Sequence, residues 1–182
     1  MRRILRDSVR PPVCVLFVGI NPGIRSAQLG HHFAGYSNRF WKLLYDARLV
    51  PEPIGTEDDR RLPEWGFGIT NLVPRATPGI DTLRPDEYAA GAVTLRRKVR
   101  RWQPLVVAFV GVTLFRSLFN KRPGEPIALG AQREMFEGAR VFVLPNPSGR
   151  NANFSYQEML AAFRSLRTDV QRLCKKSRRK SA

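Results

Sequence analysis

Four short runs, each ending at a glycine or a proline, constrain the fold of this chain more than any other feature of its sequence. They occupy residues 13–18, 67–73, 105–110 and 141–144 and are rich in valine, leucine, isoleucine and phenylalanine. Runs of this length and composition are typical of strands that are buried on both faces of a sheet. Each run therefore predicts one strand, which ends where the glycine or proline follows.

Segments with helical periodicity lie between these runs. Ser37, Pro85 and Ser155 each precede apolar residues spaced three or four apart, and each is predicted to start a helix. A shorter helix is expected after Gly111. Because strands alternate with helices, the crossovers are expected to be right-handed. The predicted fold class is α/β, a three-layer α/β/α sandwich with a mostly parallel central sheet.

The length of the chain predicts a single domain. The 182 residues are interpreted as one domain over residues 11–174, preceded by a basic N-terminal extension at residues 1–10. Residues 175–182 have no apolar anchor and are interpreted as a basic disordered tail. No run approaches the roughly 18 apolar residues of a membrane-spanning helix, and no signal-peptide core precedes Pro11.

Cysteine and histidine usage limits the cofactors. Cys14 and Cys174 are too few for a disulfide framework, an all-cysteine iron–sulfur cluster or a four-cysteine zinc site. The two histidines, His31 and His32, are adjacent, and neighbours along a chain rarely face one ion. The sequence therefore predicts no metal and no cofactor, and it favours a reducing cytoplasm.

The net charge points to a polyanionic partner. The chain carries 31 lysines and arginines against 15 aspartates and glutamates, a formal charge of +16. Such a field attracts polyanions and speeds encounter with them. Nucleic acid is the first expectation and a membrane surface the second, because charge alone does not distinguish the two.

The carboxyl ends of the predicted strands are where a site is expected. Ligands of open α/β sheets bind at this edge, and here it carries residues 19–23, 70–71 and 145–150. In the first of these segments Pro22 stiffens the turn and would hold the amide of Asn21 at the mouth of the sheet. An amide can orient a water molecule but cannot take its proton, so Asn21 would be a positioning group. The alternative is a tight Asn-Pro turn closed by its own hydrogen bond.

Two further segments carry groups that suit a nucleic acid. Phe33 lies in a loop and can stack on a planar ligand, or it can simply pack over the sheet. The loop after the fourth run contains Ser148, Arg150 and Asn151, whose size and polarity suit phosphates and entry into a duplex. An ordinary solvated loop is the alternative for this second segment.

Taken together and in order, these motifs resemble the mismatch-specific uracil- and thymine-DNA glycosylases of the uracil-DNA glycosylase superfamily. The resemblance covers residues 13–173 approximately. It is carried by Gly-Ile-Asn-Pro-Gly at 19–23, Gly-His-His-Phe at 30–33, Asn-Arg-Phe-Trp-Lys at 38–42, Thr-Asn-Leu-Val at 70–73, Thr-Pro-Gly at 77–79 and Asn-Pro-Ser-Gly at 146–149. It implies a uracil-DNA glycosylase-like fold and the release of a damaged base by hydrolysis.

The resemblance implies roles for the catalytic residues. Asn21 would position the water that attacks C1′ of the sugar, where the efficient uracil enzymes carry an aspartate, so slower chemistry is expected. Thr70 would be a second water-orienting residue, and Ile20 would help through its backbone carbonyl. Asn146 would donate to the departing base, where the efficient enzymes carry a histidine. No lysine stands in the strand-end segments 19–23, 70–71 and 145–150, so a monofunctional enzyme without strand cleavage is implied.

The resemblance also implies a base pocket and a DNA surface. Phe33 would stack on the flipped base, Gly23 would leave room for larger C5 or fused substituents, and Ser26 and His32 would lie at the same pocket. Arg150 would fill the gap left by the flipped base. The remaining DNA contacts would come from Ser148, Gly149 and Asn151.

The implied activity is excision of uracil from guanine mismatches in double-stranded DNA, with thymine and ethenocytosine as further candidate bases. The partner would be a damaged duplex rather than a membrane, and the protein would be a cytoplasmic, nucleoid-associated monomer. A non-catalytic DNA- or RNA-binding protein on the same scaffold remains the alternative. A nucleotide-binding α/β enzyme ranks last, because no glycine-rich phosphate loop is present.

Overall fold

The computed structural model describes the backbone of residues 5–180 and the side chains of residues 5–174. Five strands and five helices alternate along most of this length. The strands are β1 (Val15–Gly19), β2 (Phe67–Asn71), β3 (Val106–Val110), β4 (Gly130–Phe136) and β5 (Ala139–Leu144). The helices are α1 (Ile24–Leu29), α2 (Phe40–Asp46), α3 (Pro85–Trp102), α4 (Val112–Leu118) and α5 (Tyr156–Lys180). Short 3-10 helices occupy Thr56–Trp65 and Ile80–Thr82.

The central sheet has the strand order β2-β1-β3-β5-β4. β2, β1, β3 and β5 pair in parallel, and β4 pairs antiparallel with β5 at one edge. The four predicted strands are thus present as a parallel array, although their ends shift by one or two residues. The predicted mostly parallel α/β sheet is confirmed.

Two apolar clusters cover the two faces of the sheet. Successive side chains along a strand point to opposite faces, so Phe17 joins α2 and α5 in one cluster, and Leu16 joins α3 and α4 in the other. Phe163 of α5 and Leu95 of α3 are both almost completely buried against these faces. The protein is therefore a three-layer sandwich, as the sequence predicted.

Sequence patterns missed β4 and α1. β4 is an edge strand whose central residues alternate between exposed and half-buried positions and include Arg133 and Glu134, so it has no continuous apolar run. α1 has six residues, fewer than two turns, which is too short to establish a helical period.

The tail interpretation is corrected for residues 175–180. α5 continues to Lys180, so these residues form the end of a helix instead of a disordered tail. Lysine and arginine are good helix formers, and cations at a helix C-terminus are favoured by its dipole. Residues 181–182 of the predicted tail, and residues 1–4 of the predicted extension, lie outside the described residues. The rest of that extension packs on the domain, since Leu5 is buried and Ser8 pairs with Ile69.

A contact between the two cysteines shows the direction in which α5 runs. The Sγ atoms of Cys14 and Cys174 lie 2.9 Å apart, next to the start of β1. α5 therefore runs towards the amino ends of the parallel strands, away from the loops at their carboxyl ends. No helix in the described part of the chain is both long and apolar enough to cross a membrane.

Candidate active site

A cleft of about 540 Å³ opens at the carboxyl edge of the parallel strands. A volume of this size is typical of small-molecule sites. The first and third of the predicted strand-end segments line it, together with Asn71 of the second. Nine predicted site residues lie in its walls: Ile20, Asn21, Gly23, Ser26, Phe33, Asn146, Ser148, Arg150 and Asn151. Three others, Thr70, His32 and Gly149, do not line the cleft.

The side-chain amide of Asn21 is fixed by acceptors on its nitrogen side. Its Nδ2 donates to the carbonyl of Arg75 at 3.0 Å and to Oγ1 of Thr77 at 2.7 Å. The hydroxyl of Thr77 donates onward to the carbonyl of Gly79 at 2.6 Å, so it can only accept from Asn21. The nitrogen of Asn21 is therefore committed to this loop, and its Oδ1 is the atom left to accept a hydrogen bond in the cleft.

The side-chain amide of Asn146 is held through its oxygen, whereas that of Asn21 is held through its nitrogen. Its Oδ1 accepts from the backbone N–H of Ser148 at 3.0 Å, and its own carbonyl accepts from Nδ2 of Asn151 at 2.8 Å. The Nδ2 group of Asn146 is therefore the part left to donate. The cleft consequently offers a hydrogen-bond acceptor from Asn21 and a hydrogen-bond donor from Asn146.

Phe33 provides an aromatic wall. Its ring stacks on Phe40 with centroids 4.3 Å apart and an interplanar angle of 26°. Its backbone adopts φ = 50°, which is uncommon for a bulky residue, so the surrounding loop must hold it in place. Gly19 makes room beside it for Asn71, because a Cβ at Gly19 would lie 2.6 Å from Oδ1 of Asn71. The predicted stacking position is thus a half-buried ring at the cleft.

The water-orienting role predicted for Thr70 has no support in the geometry. Thr70 is completely buried, and its Oγ1 donates to Asp7 at 2.5 Å and accepts from Nζ of Lys98 at 2.9 Å. Side chains alternate across a strand, so it is the following residue, Asn71, that faces the cleft. The predicted carbonyl contribution of Ile20 is also unsupported, because that carbonyl accepts from the N–H of Val73 at 2.8 Å.

His32 is placed behind the pocket wall and not in it. Its Nδ1 and backbone N–H both lie 3.0 Å from Oδ2 of Asp59, and Nδ1 of His31 lies 3.0 Å from Oδ1 of the same carboxylate. Burial alone would raise the pKa of Asp59, but the hydrogen bonds from His32 and His31 outweigh it and hold that pKa below its usual value. Asp59 therefore anchors the loop that presents Phe33.

Gly23 and Ser26 form another part of the cleft wall. A Cβ added at Gly23 would meet nothing within 4 Å, so this wall is open. Ser26 is buried, and its Oγ accepts from the N–H of Ala34 at 3.0 Å. Ser26 thus ties α1 to the loop that follows Phe33, and it lines the cleft from there.

The loop after β5 forms the outer rim. Arg150 is exposed, and its Nη2 donates across the cleft mouth to the carbonyl of Pro78 at 3.2 Å. Gly149 packs against Ser37 instead of facing the cleft, since a Cβ there would lie 2.6 Å from the Ser37 carbonyl oxygen. Only glycine permits this packing, and the backbone contact with DNA predicted for Gly149 stays a prediction.

Sequence reasoning did not assign roles to four residues that build the site. Thr77 fixes Asn21, Asn71 presents its side-chain amide beside Phe33, Asp81 is an exposed carboxylate at the rim, and Leu5 closes one wall. Thr77 and Asn71 belong to the short strings at 77–79 and 70–73, which signalled the family without revealing which side chain turns inward. Within residues 5–174, no three His, Cys, Asp or Glu side chains come together to hold a metal ion.

The comparisons with known proteins give the family and the fold of this chain. The family model described as the uracil DNA glycosylase superfamily matches residues 7–167, and the chain belongs to this superfamily. A solution NMR structure from Methanosarcina acetivorans, described as a "putative Uracil DNA glycosylase", is similar in fold. Its TM-score is 0.60 at 18% sequence identity, over 91% of this chain and 98% of the other. The predicted uracil-DNA glycosylase-like fold is confirmed.

Proposed function

We propose that the protein is a DNA glycosylase that hydrolyses the N-glycosidic bond of uracil mispaired with guanine in duplex DNA, leaving an abasic site. Membership of the superfamily supports the reaction class. The observation that carries the proposal is the fixed amide of Asn21, whose Nδ2 donates to Arg75 and Thr77 while its Oδ1 accepts no hydrogen bond from the residues that the structure describes. This arrangement can hold a water molecule through a neutral amide, without a charged side chain.

In the proposed reaction, water on Oδ1 of Asn21 attacks C1′ of the flipped nucleotide. The bond between C1′ and the base nitrogen breaks, and its electron pair leaves with the base. The Nδ2 of Asn146 donates to the base and stabilises the developing negative charge. Asn21 does not take up the proton of the water, which passes to solvent. Because residue 21 is an asparagine and not an aspartate, the positive charge that develops on the sugar is stabilised less than it would be by a carboxylate, so turnover is slow.

The open wall at Gly23 supports a broader set of bases than uracil alone. Nothing lies within 4 Å of a Cβ placed there, so a C5-methyl or a fused ring meets no obstacle on this side. We infer that thymine and ethenocytosine opposite guanine are secondary substrates. Uracil is expected to remain the fastest, because it is a better leaving group than thymine.

Base flipping explains the position of Arg150. The target base must leave the stack before it can reach the cleft. Arg150 is exposed at the mouth, and its guanidinium needs to give up only one 3.2 Å hydrogen bond to Pro78 before it can enter the duplex. Ser148 and Asn151 would contact the strand beside it, and the +16 charge supplies salt-sensitive affinity for the DNA backbone. We expect the protein to act as a monomer.

A second candidate function is binding of DNA or RNA without catalysis. It is favoured by the lining of the cleft, in which the carboxylate among the described residues is Asp81, and Asp81 is exposed at the rim. Turnover separates the two candidates, because a binding protein releases no base.

Single-turnover excision on labelled duplexes tests the proposal. G·U, A·U, G·T and G·ethenocytosine duplexes and single-stranded uracil are incubated with excess protein, and alkali reveals abasic sites. We expect G·U to be cleaved fastest, A·U and the single strand to be cleaved poorly, and Asn21→Ala to lose excision while duplex binding survives. Equal cleavage of A·U would contradict the mismatch preference, and binding without excision of any base would favour the second candidate.

A further inference from the structure

A buried leucine outside both apolar cores lies in the wall of the cleft. Leu5 is only 9% exposed, yet it belongs to neither of the clusters that cover the sheet. It lines the cleft together with Phe33 and Asn71. Its burial therefore contributes to the shape of the cleft more than to the packing of the sheet.

The path of the chain explains how Leu5 reaches this wall. Ser8 and Ile69 exchange two backbone hydrogen bonds of 3.1 and 2.9 Å, so the N-terminal segment runs antiparallel along the free edge of β2. Moving back three residues from Ser8 brings the chain to the carboxyl end of β2, where Asn71 faces the cleft. The segment of residues 5–9 thus covers an otherwise open sheet edge and ends at the site.

An ion pair fastens this segment to the body of the protein. Oδ2 of Asp7 lies 2.7 Å from Nζ of Lys98, and Oδ1 of Asp7 accepts from the buried hydroxyl of Thr70 at 2.5 Å. Lys98 also donates to Thr70, so the three groups close a ring between the segment, β2 and α3. This ring gives Thr70 an anchoring role in place of the catalytic one that the sequence suggested.

A glycine on β2 makes room for the same segment. A Cβ at Gly68 would lie 3.0 Å from Cγ2 of Val9 and 3.2 Å from Cδ1 of Leu16. The segment is therefore seated by three independent features: the backbone pairing at Ser8, the ring at Asp7 and the packing of Val9.

We propose that Leu5 is a specificity-determining residue of the cleft and that Asp7 is the positioning residue that keeps it there. This inference rests on the proposed glycosylase function. Gly23 leaves one side of the cleft open, whereas Leu5 closes another and limits the size of the base that can be held close to Asn21. Removing the Leu5 side chain enlarges the cleft, so uracil is held less closely and bulky bases fit more easily.

The first measurement is the ratio of single-turnover rates on G·ethenocytosine and G·U duplexes. Leu5→Ala is expected to raise this ratio about tenfold, which is the usual scale for a change of a few methyl groups in an apolar pocket. Leu105→Ala is the matched control, because it makes the same change on a partly exposed leucine just before β3, at the amino ends of the parallel strands and away from the cleft. A ratio that stays at the wild-type value in Leu5→Ala would overturn the proposal.

The second measurement tests the anchor without using activity. Asp7→Asn is expected to speed amide hydrogen exchange at Ser8 and Ile69 at least tenfold and to raise the rate ratio as Leu5→Ala does. Asp86→Asn removes an equivalent charge from an exposed pair with Arg84 and should change neither. Unchanged exchange in Asp7→Asn would overturn the positioning role. If the wild-type protein excises no base, the proposed glycosylase function is contradicted. Amide hydrogen exchange in Asp7→Asn then still decides whether Asp7 anchors the N-terminal segment that carries Leu5.

Discussion

The Nδ2 of Asn21 lies 2.7 Å from Oγ1 of Thr77, and this hydrogen bond joins the first strand-end loop to the loop after β2. The two loops also pair through their backbones, since the N–H of Thr77 donates to the carbonyl of Pro22 at 3.1 Å. Thr77 is buried, so water does not compete for its hydroxyl. The orientation of the Asn21 amide is consequently a property of both loops together.

Replacing Thr77 with valine should lower the single-turnover excision rate about 100-fold. Valine keeps the shape of the side chain but removes the acceptor, so the Asn21 amide can rotate and misplace its water. Thr77→Ser keeps the hydroxyl and should excise within a few-fold of the wild-type rate. Both variants should bind a G·U duplex as the wild type does. A valine variant with an unchanged rate would show that Thr77 does not set the orientation of Asn21.

Replacing Arg150 with alanine should weaken binding to an abasic product duplex about tenfold without lowering thermal stability. The guanidinium is exposed and its hydrogen bond to Pro78 is open to solvent, so losing this bond lowers the free energy of unfolding very little. Fluorescence anisotropy at a fixed salt concentration measures the affinity. Arg150→Lys separates charge from shape, because it keeps the cation but loses the planar group. Unchanged affinity in the alanine variant would contradict the proposed insertion of Arg150 into the duplex.

Replacing Asp59 with asparagine should lower the free energy of unfolding by about 2 kcal/mol at pH 7, because a buried carboxylate that accepts from His31 and His32 is lost. The folded-state pKa of Asp59 lies below its usual value. Its stabilising effect is therefore fully present above the unfolded pKa of about 3.9 and is lost as the pH falls through the lower folded pKa. Urea unfolding from pH 2 to 7 should show the two proteins converging in acid. A difference that stayed constant over this range would contradict the assignment.

The thiol of Cys14 should be almost inert to iodoacetamide at pH 8 in the folded protein. Burial, with the hydrogen bond to Cys174, raises the pKa of the Cys14 thiol to about 12. The reactive thiolate is then about a thousandfold rarer than for a free cysteine. Peptide mapping by mass spectrometry measures labelling, with urea-unfolded protein as the positive control. Labelling of Cys14 at the same rate in both states would be the contrary result.

The sheet and the layers could be predicted from the sequence because they depend on continuous apolar runs and helical periods. Phe17 and Leu16 needed only the alternation of a strand to be assigned to opposite faces. β4 could not be found in this way, since its pattern is set by its position at an edge.

The site could be located from the sequence but not fully oriented. The segments around Asn21 and Asn146 were found because glycine and proline mark the ends of strands. Thr70 and His32 were misplaced because a motif gives the residue type at a position, whereas the direction of the side chain depends on partners far along the chain. Asp7 and Asp59, which hold these two residues, are separated from them by 63 and 27 residues.

The acceptors around Nδ2 of Asn21 also explain why an amide and a carboxylate are not interchangeable at this position. The carbonyl of Arg75 and the hydroxyl of Thr77, whose proton is held by Gly79, both present lone pairs to the side chain. An aspartate here would place a negative oxygen against them, and it would either rotate away or take up a proton. The loop at residues 75–79 would therefore have to change together with residue 21, so a faster carboxylate-type site is not one substitution away from this one.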